Sequence, residues 1–174
     1  MKAFLNTFFI CLFLSGCANK INNFDLSDSK FTSNNVGVNV EMDYYSKGTL
    51  EFKLIAEEIQ EMEIPVEQNI FPKGIKVFVY NNNLDTVARI SSDFAIQNKA
   101  KKLVELQKNV LLISEEKQEL STELLFWDIE KKIIYTDDFV TLNINNDIIM
   151  GHGFLTNQSS PAYSMSNINA TIHK

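Results

Sequence analysis

The feature that most constrains the fold is an alternation of apolar and polar residues with a period of two, from Val36 onward. Residues 36–41 read Val-Gly-Val-Asn-Val-Glu, and residues 75–80 read Ile-Lys-Val-Phe-Val-Tyr. This period places alternate side chains on opposite faces of an extended chain. Polar turn sequences such as Asn81–Asn83 separate the runs. The pattern predicts an all-β domain of antiparallel strands, in a roll, sandwich or barrel.

Two segments fit a helix as well as a strand on local pattern alone. Apolar residues recur at helical spacing in Glu51–Glu63, and Lys99–Lys108 is similar. An internal repeat favours strands, because Lys-Lys-Leu-Val at 101–104 returns as Lys-Lys-Ile-Ile at 131–134. The second copy lies in a β-branched and aromatic stretch, which is typical of a strand. The repeat therefore predicts stacked hairpins around one core.

The N-terminus reads as an export signal. A positive Lys2 precedes the apolar run Phe8–Leu14, and small residues follow it. The run is shorter than the roughly 20 residues of a transmembrane helix. Because Leu14–Cys17 matches a bacterial lipobox, we predict cleavage before Cys17 and acylation of its thiol. A plain signal peptide or a short uncleaved anchor helix is the alternative.

These observations divide the chain into three parts. Residues 1–16 are expected to be a lipoprotein signal peptide or short anchor. Residues 17–35, rich in Asn, Ser and Asp, are expected to be a flexible tether. Residues 36–174 are expected to form the folded domain. This organisation predicts a membrane-anchored domain.

Charge and cysteine content exclude two classes of function. The formal net charge is −6, with Arg89 as the one arginine and the lysines dispersed, so the chain lacks the basic face that nucleic-acid binding needs. Both cysteines, Cys11 and Cys17, precede the predicted domain, so a disulfide or a cysteine metal site within it is excluded.

No catalytic constellation is recognisable. The two histidines, His152 and His173, are far apart in sequence, and glycines on both sides of His152 favour a bulge over a site. The pairs Glu115–Glu116 and Asp137–Asp138 are interpreted as solvated turn charges. With no phosphate loop, nucleophile motif or metal-ligand cluster, we expect no enzyme activity, metal or cofactor.

Several segments resemble a known family. Phe71–Ile75 leads into the strand at 77–80, Asp93–Ile96 and Thr122–Val140 follow, and the series ends with Ile149–Phe154. Their order and spacing resemble the LptC-like periplasmic component of the lipopolysaccharide exporter, over roughly Val36 to Ile172. The resemblance is most specific in Thr122–Val140.

The resemblance implies a twisted open antiparallel β-jellyroll of the LptA, LptC and OstA type. It implies that the protein receives lipopolysaccharide from an inner-membrane ABC transporter and passes it to a periplasmic LptA-like bridge, at the periplasmic face of the inner membrane. Lipid A acyl chains would slide through the interior, and the rolls would join edge to edge. The best-known members keep an N-terminal transmembrane helix, whereas this chain shows a lipobox.

Two sets of residues become candidates for these roles. The candidate lining of a lipid cavity is Val77, Val79, Leu103, Leu112, Phe126, Ile134, Leu142 and Phe154. The candidate partner edges, in the first and last strands, are Val36, Val38, Val40, Tyr163, Met165 and Ile168. The alternative is that the lining residues are ordinary core, in a structural envelope lipoprotein that scaffolds a complex without carrying lipid.

Overall fold

The computed structural model describes residues 35–63, 65–145, 147–158 and 162–173. The predicted signal peptide, Cys17 and the tether up to residue 34 lie outside the described residues. Within those ranges, no helix is long and apolar enough to cross a membrane.

The described chain consists of strands joined by turns, with no helix among its residues. The strands are β1 Asn35–Ser46, β2 Thr49–Met62, β3 Gln68–Phe71, β4 Ile75–Tyr80, β5 Thr86–Ser92, β6 Phe94–Asn98, β7 Leu103–Ser114, β8 Glu119–Asp128, β9 Ile133–Ile144, β10 Asp147–Asn157 and β11 Tyr163–His173. The prediction of an all-β antiparallel domain is confirmed.

All eleven strands belong to one antiparallel sheet. The long strand β2 pairs with β1 on one side and with the short strands β3 and β4 on the other. The short strands pair in turn with β6 and β5, which both pair with β7. From β7 the sheet continues through β8, β9 and β10 to β11. Within the described ranges β1 and β11 have one strand neighbour each, so the sheet has two free edges.

Both segments with helical spacing are β-structure. Residues 51–62 lie in β2, and 99–108 contain a turn followed by the first half of β7. The repeat explains the second case, because Lys102 and Lys132 have left-handed φ values of 51° and 57° immediately before β7 and β9 begin. The two copies are therefore equivalent turn-to-strand junctions.

The sheet curls so that distant strands meet across an interior. Phe52 of β2 makes an edge-on contact with Trp127 of β8, with ring centroids 4.7 Å apart. Because β4, β5 and β7 separate these strands in the sheet, the contact spans the roll. Alternate apolar side chains of β2, β4, β5 and β7–β10 form a single core.

A line of irregularities, here called the crease, crosses the sheet from β7 to β10. The pairing register shifts between Gln107 and Val110, between Thr122 and Phe126, and between His152 and Phe154. Lys108, Asn109 and Gly153 have left-handed φ values of 64°, 50° and 76°. Bulges bend strands, so the crease folds the sheet onto itself. The predicted bulge at His152 is confirmed.

Two buried threonines supply hydrogen bonds that the ladder loses at the crease. The Thr122 hydroxyl donates to the Phe139 carbonyl at 2.9 Å, and the Asp138 amide donates to the Thr136 hydroxyl at 3.1 Å. A buried backbone group without such a partner would be costly. Asp137 and Asp138 lie exposed at this bend within β9, so the prediction that they occupy a turn is wrong, whereas Glu115–Glu116 do lie in a turn.

Candidate functional site: an apolar cavity and two free edges

An apolar cavity of about 120 Å³ lies inside the roll. Its apolar lining includes Leu112 of β7, Leu120 of β8, Ile134 and Leu142 of β9, and Phe154 of β10. Ile134 and Leu142 are eight residues apart, which is about 26 Å along a straight strand. They can line one small cavity because the crease bends β9 between them.

The cavity brings together four of the eight residues that the sequence predicted as a lining. These are Leu112, Ile134, Leu142 and Phe154. Val77 and Val79 also face the interior, but they are buried in the packed core and do not border the cavity. Val79 pairs with Ala88, which does line the cavity, so these valines lie one strand away from it.

Leu103 and Phe126 do not line the cavity. Phe126 lies between the fully buried Leu125 and Trp127, so alternation puts its side chain on the outer face, where it stacks on Tyr135 at 5.4 Å. The register shift on β8 is the reason. Before the crease, the inward residues of β8 are Leu120 and Thr122. After the crease they are Leu125 and Trp127, so the alternation along β8 has shifted by one residue.

For Leu103 the alternation of β7 itself decides the face. The inward residues are Val104, Leu106, Val110 and Leu112, which leaves Leu103 half-buried on the other side. The sequence analysis predicted that Leu103 and Leu112 line the same cavity. They are an odd number of positions apart on one strand, however, so alternation places their side chains on opposite faces of the sheet.

Polar residues also line the cavity, namely Glu115 and Glu116 of the β7–β8 turn together with Thr156, Asn157 and Tyr163. Glu115 also lines a neighbouring groove with Arg89 and Lys117. Gln158 also borders the cavity and accepts a hydrogen bond from the Trp127 indole nitrogen at 2.8 Å. Sequence reasoning missed Leu120, which alternation with Thr122 could have indicated, and Gln158, for which no local signal exists.

The two edge strands carry most of the exposed apolar surface. Of the eleven large apolar side chains that are exposed in the described chain, seven lie on β1 or β11. Val38 is 67% exposed and Ile168 is 62% exposed. Among the predicted edge residues, Val36, Val38, Tyr163 and Ile168 are exposed, whereas Val40 and Met165 pack partly against the core.

Backbone irregularities interrupt both free edges, and the β1–β2 register shifts between Tyr44 and Tyr45. Asn39 in β1 has a left-handed φ of 51°, and the β10–β11 register shifts between Met150 and Gly151, so that Asn169 is the extra residue of β11. Bulges limit uncontrolled pairing along an edge. The edges therefore offer short segments for strand addition rather than continuous templates.

A hydrogen-bonded ion pair closes the β8–β9 turn. The Lys131 side chain and the Lys131 backbone amide each donate to the Asp128 carboxylate at 2.8 Å. These bonds hold the pKa of Asp128 below its usual range, with the side-chain bond as the larger cause, and Asp128 raises the pKa of Lys131. Within the described residues, no cluster of three or more His, Cys, Asp or Glu could hold a metal ion.

A comparison with protein families identifies one that matches most of the chain. A family model described as lipopolysaccharide-assembly, LptC-related, matches residues 9–160, which run from the apolar segment of the predicted signal through β10. No curated protein matches the chain. The matched segment contains the four residues that line the cavity as predicted.

Proposed function

Because the chain belongs to the LptC-related lipopolysaccharide-assembly family and so has a role in lipopolysaccharide transport, we propose that it receives lipopolysaccharide from an inner-membrane ABC transporter. We propose that it then passes the lipid to a periplasmic β-jellyroll bridge. The family is a non-enzymatic component of this transport, and we propose that this chain likewise acts by binding alone.

The observation that carries the proposal is the unfilled apolar space inside a sheet with two free edges. Leu112, Leu142 and Phe154 come from three different strands and turn their side chains toward this space. Apolar burial is non-directional and scales with area, at roughly 0.8 kcal/mol for each CH₂ group, so an acyl chain would be stabilised there without specific contacts.

The size of the cavity fixes how much lipid it holds. At about 120 Å³ it is of the order of the apolar cavity of about 150 Å³ that binds benzene. It therefore takes part of one acyl chain. A larger share of lipid A requires the two halves of the roll to separate. The free edges allow this, because among the described residues no ladder of hydrogen bonds joins β1 to β11.

The edges supply the proposed contacts with the upstream and downstream proteins. A strand from another chain can add to β1 or β11 through backbone hydrogen bonds, and exposed side chains such as Val38 and Ile168 would provide the apolar contacts. One edge would face the transporter and the other the bridge.

We further propose that residues 1–16 direct export, that acylated Cys17 anchors the chain, and that residues 17–35 tether the domain of 36–174 at the periplasmic face of the inner membrane. The wild type is then expected to incorporate labelled palmitate in cells, and a Cys17→Ser variant is not. If the wild type incorporates no label, the lipid anchor is ruled out and an uncleaved N-terminal segment replaces it.

Site-specific photocrosslinking tests the proposal in cells. A crosslinker at Leu112 or Leu142 is expected to capture lipopolysaccharide, whereas one at Phe126, on the outer face of the same sheet, is not. Crosslinks from Leu112 and Leu142 to protein alone would contradict lipid carriage. That result would favour the alternative function, a structural protein that scaffolds a complex without carrying lipid. The dense packing around Trp127 is compatible with that alternative.

A further inference from the structure

One ion pair joins two parts of the sheet that are not neighbours. The Lys132 side chain donates a hydrogen bond to the Glu51 carboxylate, although the two residues are 81 positions apart in the sequence. Glu51 belongs to β2, and Lys132 lies in the turn between β8 and β9. Because β4, β5, β7 and β8 separate β2 from β9 in the sheet, the pair spans the roll, as the adjacent Phe52–Trp127 contact also does.

Backbone irregularities place both partners of the ion pair. Tyr44 pairs with Phe52 and Tyr45 pairs with Leu50, so Glu51 is the extra residue of β2 at a bulge. A bulge re-aims side chains, which explains how Glu51 and the next residue both reach the β8–β9 hairpin. Lys132 has a left-handed φ of 57° directly before β9 begins.

The same hairpin holds a residue of the cavity wall. The Lys132 carbonyl accepts a hydrogen bond from the Gln158 backbone amide at 2.9 Å, and the Gln158 side chain accepts one from the Trp127 indole at 2.8 Å. Gln158 borders the cavity. The two residues that contact β2 across the roll are therefore bonded directly to the cavity wall, so a gap at this contact would open next to the cavity.

We propose that the Glu51–Lys132 ion pair is a clasp, which holds the roll closed beside the cavity and limits the rate at which a lipid chain enters and leaves. The clasp opens when β2 separates from the β8–β9 hairpin. The inference rests on the proposed function, because it requires an acyl chain in the cavity.

The surroundings of the pair suit a contact that breaks and reforms. The Glu51 side chain is 17% exposed, so salt screens the closed pair less than it would screen a fully exposed one. The Lys132 side chain is 45% exposed and can be hydrated once the pair breaks. The neighbouring cation, Lys131, is bonded to Asp128 within the turn, so it is already engaged elsewhere.

The internal repeat supplies a matched ion pair that does not span the roll. Lys102 occupies the equivalent position before β7, has a left-handed φ of 51° and pairs with Glu130 of the β8–β9 turn. Since β7 and β8 are neighbours, this pair links adjacent parts of the sheet. Lys102→Gln therefore removes the same charge from the same kind of junction and leaves the clasp intact.

Stopped-flow fluorescence measures the exchange of a lipid-like chain. Dodecyl maltoside brominated on its chain, used below its micelle concentration, is expected to quench Trp127 on entry, and unlabelled dodecyl maltoside then reports release. We expect Glu51→Gln and Lys132→Gln each to accelerate entry and release by about two- to fivefold. The dissociation constant should change by less than about twofold, because the clasp is broken only in the open state through which both steps pass.

A double variant and salt show whether the two residues act as a pair. Glu51→Gln combined with Lys132→Gln should be no faster than either single variant, because either change alone already breaks the pair. Raising the salt concentration should accelerate exchange in the wild type and have little effect in the variants. Lys102→Gln should exchange at the wild-type rate. Circular dichroism establishes that all variants remain folded.

The outcomes separate this inference from the proposed function. If lipopolysaccharide displaces the brominated amphiphile but Lys132→Gln exchanges at the wild-type rate, the clasp is ruled out and the cavity remains a lipid site. Equal acceleration by Lys102→Gln, or additive acceleration in the double variant, would also overturn the clasp. If the amphiphile quenches Trp127 in no variant, or lipopolysaccharide does not displace it, both proposals fail.

Discussion

One strand, β7, passes through two regions of the core that differ in how the space is filled. In the packed end, around Leu106, Leu125, Trp127 and Phe52, the side chains leave almost no accessible surface, and Leu106 is 0% exposed. In the cavity end, around Leu112, Leu120, Ile134, Leu142 and Phe154, the side chains are also buried, but they border an unfilled space of about 120 Å³. Apolar and polar residues alternate in the same way in both regions. The alternation therefore decides which side chains point inward, but it does not decide whether those side chains fill the interior.

The size of the facing side chains makes the difference. In the packed end two aromatic rings, Phe52 and Trp127, meet across the roll. In the cavity end mainly aliphatic side chains face one another, and polar residues complete the lining. A structural role explains the first region, and the proposed acyl-chain ligand would explain why the second is left unfilled.

The largest expected effect is in the packed end. Trp127→Ala should lower the free energy of unfolding by about 3–5 kcal/mol, because it removes the largest buried side chain and leaves Gln158 without its buried donor. Urea unfolding followed by circular dichroism measures this. A loss below about 1 kcal/mol would mean that this end is not tightly packed.

A matched pair on β7 compares the two regions directly. Leu106→Ala is expected to cost about 3–4 kcal/mol, and Leu112→Ala about 1–2 kcal/mol, because a side chain that already borders a cavity loses fewer contacts. Both changes delete the same atoms from the same face of one strand. Equal losses in urea unfolding would erase the distinction between the packed and cavity ends.

The crease, which bends β9 between Ile134 and Leu142, depends on Thr122. Thr122→Val should destabilise the fold by about 1–3 kcal/mol, because the Phe139 carbonyl loses its buried donor. Thr141→Val on β9 is the control. Thr141 lies between the inward Val140 and Leu142 and so faces outward, where substitutions usually change stability by less than about 0.5 kcal/mol. Similar losses at both positions would show that the hydroxyl does not support the bend.

The smallest effect concerns the turn that closes the packed end. The pKa of Asp128 is lower in the folded than in the unfolded protein, so its stabilisation is complete above the unfolded value of about 3.9. It is lost as the pH falls through the folded pKa. Asp128→Asn should therefore lower the free energy of unfolding by about 1 kcal/mol at pH 7. At a pH below the folded pKa of Asp128, the variant and the wild type should be equally stable.

Unfolding of the wild type and the Asp128 variant as a function of pH checks this expectation. The two stability curves should run parallel near neutrality and converge below the usual range of aspartate pKa values. A constant difference across the acid range would show that the carboxylate charge is not involved.

The sequence predicted the positions of the strands better than it predicted which face of the sheet each side chain occupies. Period-two alternation indicated the strands, and the Lys101–Val104 repeat indicated that 103 and 133 begin equivalent strands, because both properties are written in adjacent residues. Phe126 was placed inward because nothing in Thr122–Trp127 marks the register shift. That shift arises from pairing between strands, which is not a local property.

The cavity was predictable only in part for a related reason. Leu112 and Ile134 are recognisable as inward residues, but their approach depends on the bend at the crease and on which side chains lie opposite. The polar part of the cavity lining combines the β7–β8 turn with the end of β10, some forty residues later in the chain. No sequence window contains both.

The central claim is that the cavity holds acyl chains of lipopolysaccharide, and Trp127 can report on it because it is the one tryptophan of the chain. Trp127 donates a hydrogen bond to Gln158, which borders the cavity, so a short-range quencher that enters should reduce its fluorescence. The measurement is a titration with dodecyl maltoside brominated on its chain, followed by unlabelled lipopolysaccharide. We expect quenching that lipopolysaccharide reverses. No quenching, or quenching that lipopolysaccharide leaves unchanged, would contradict the claim.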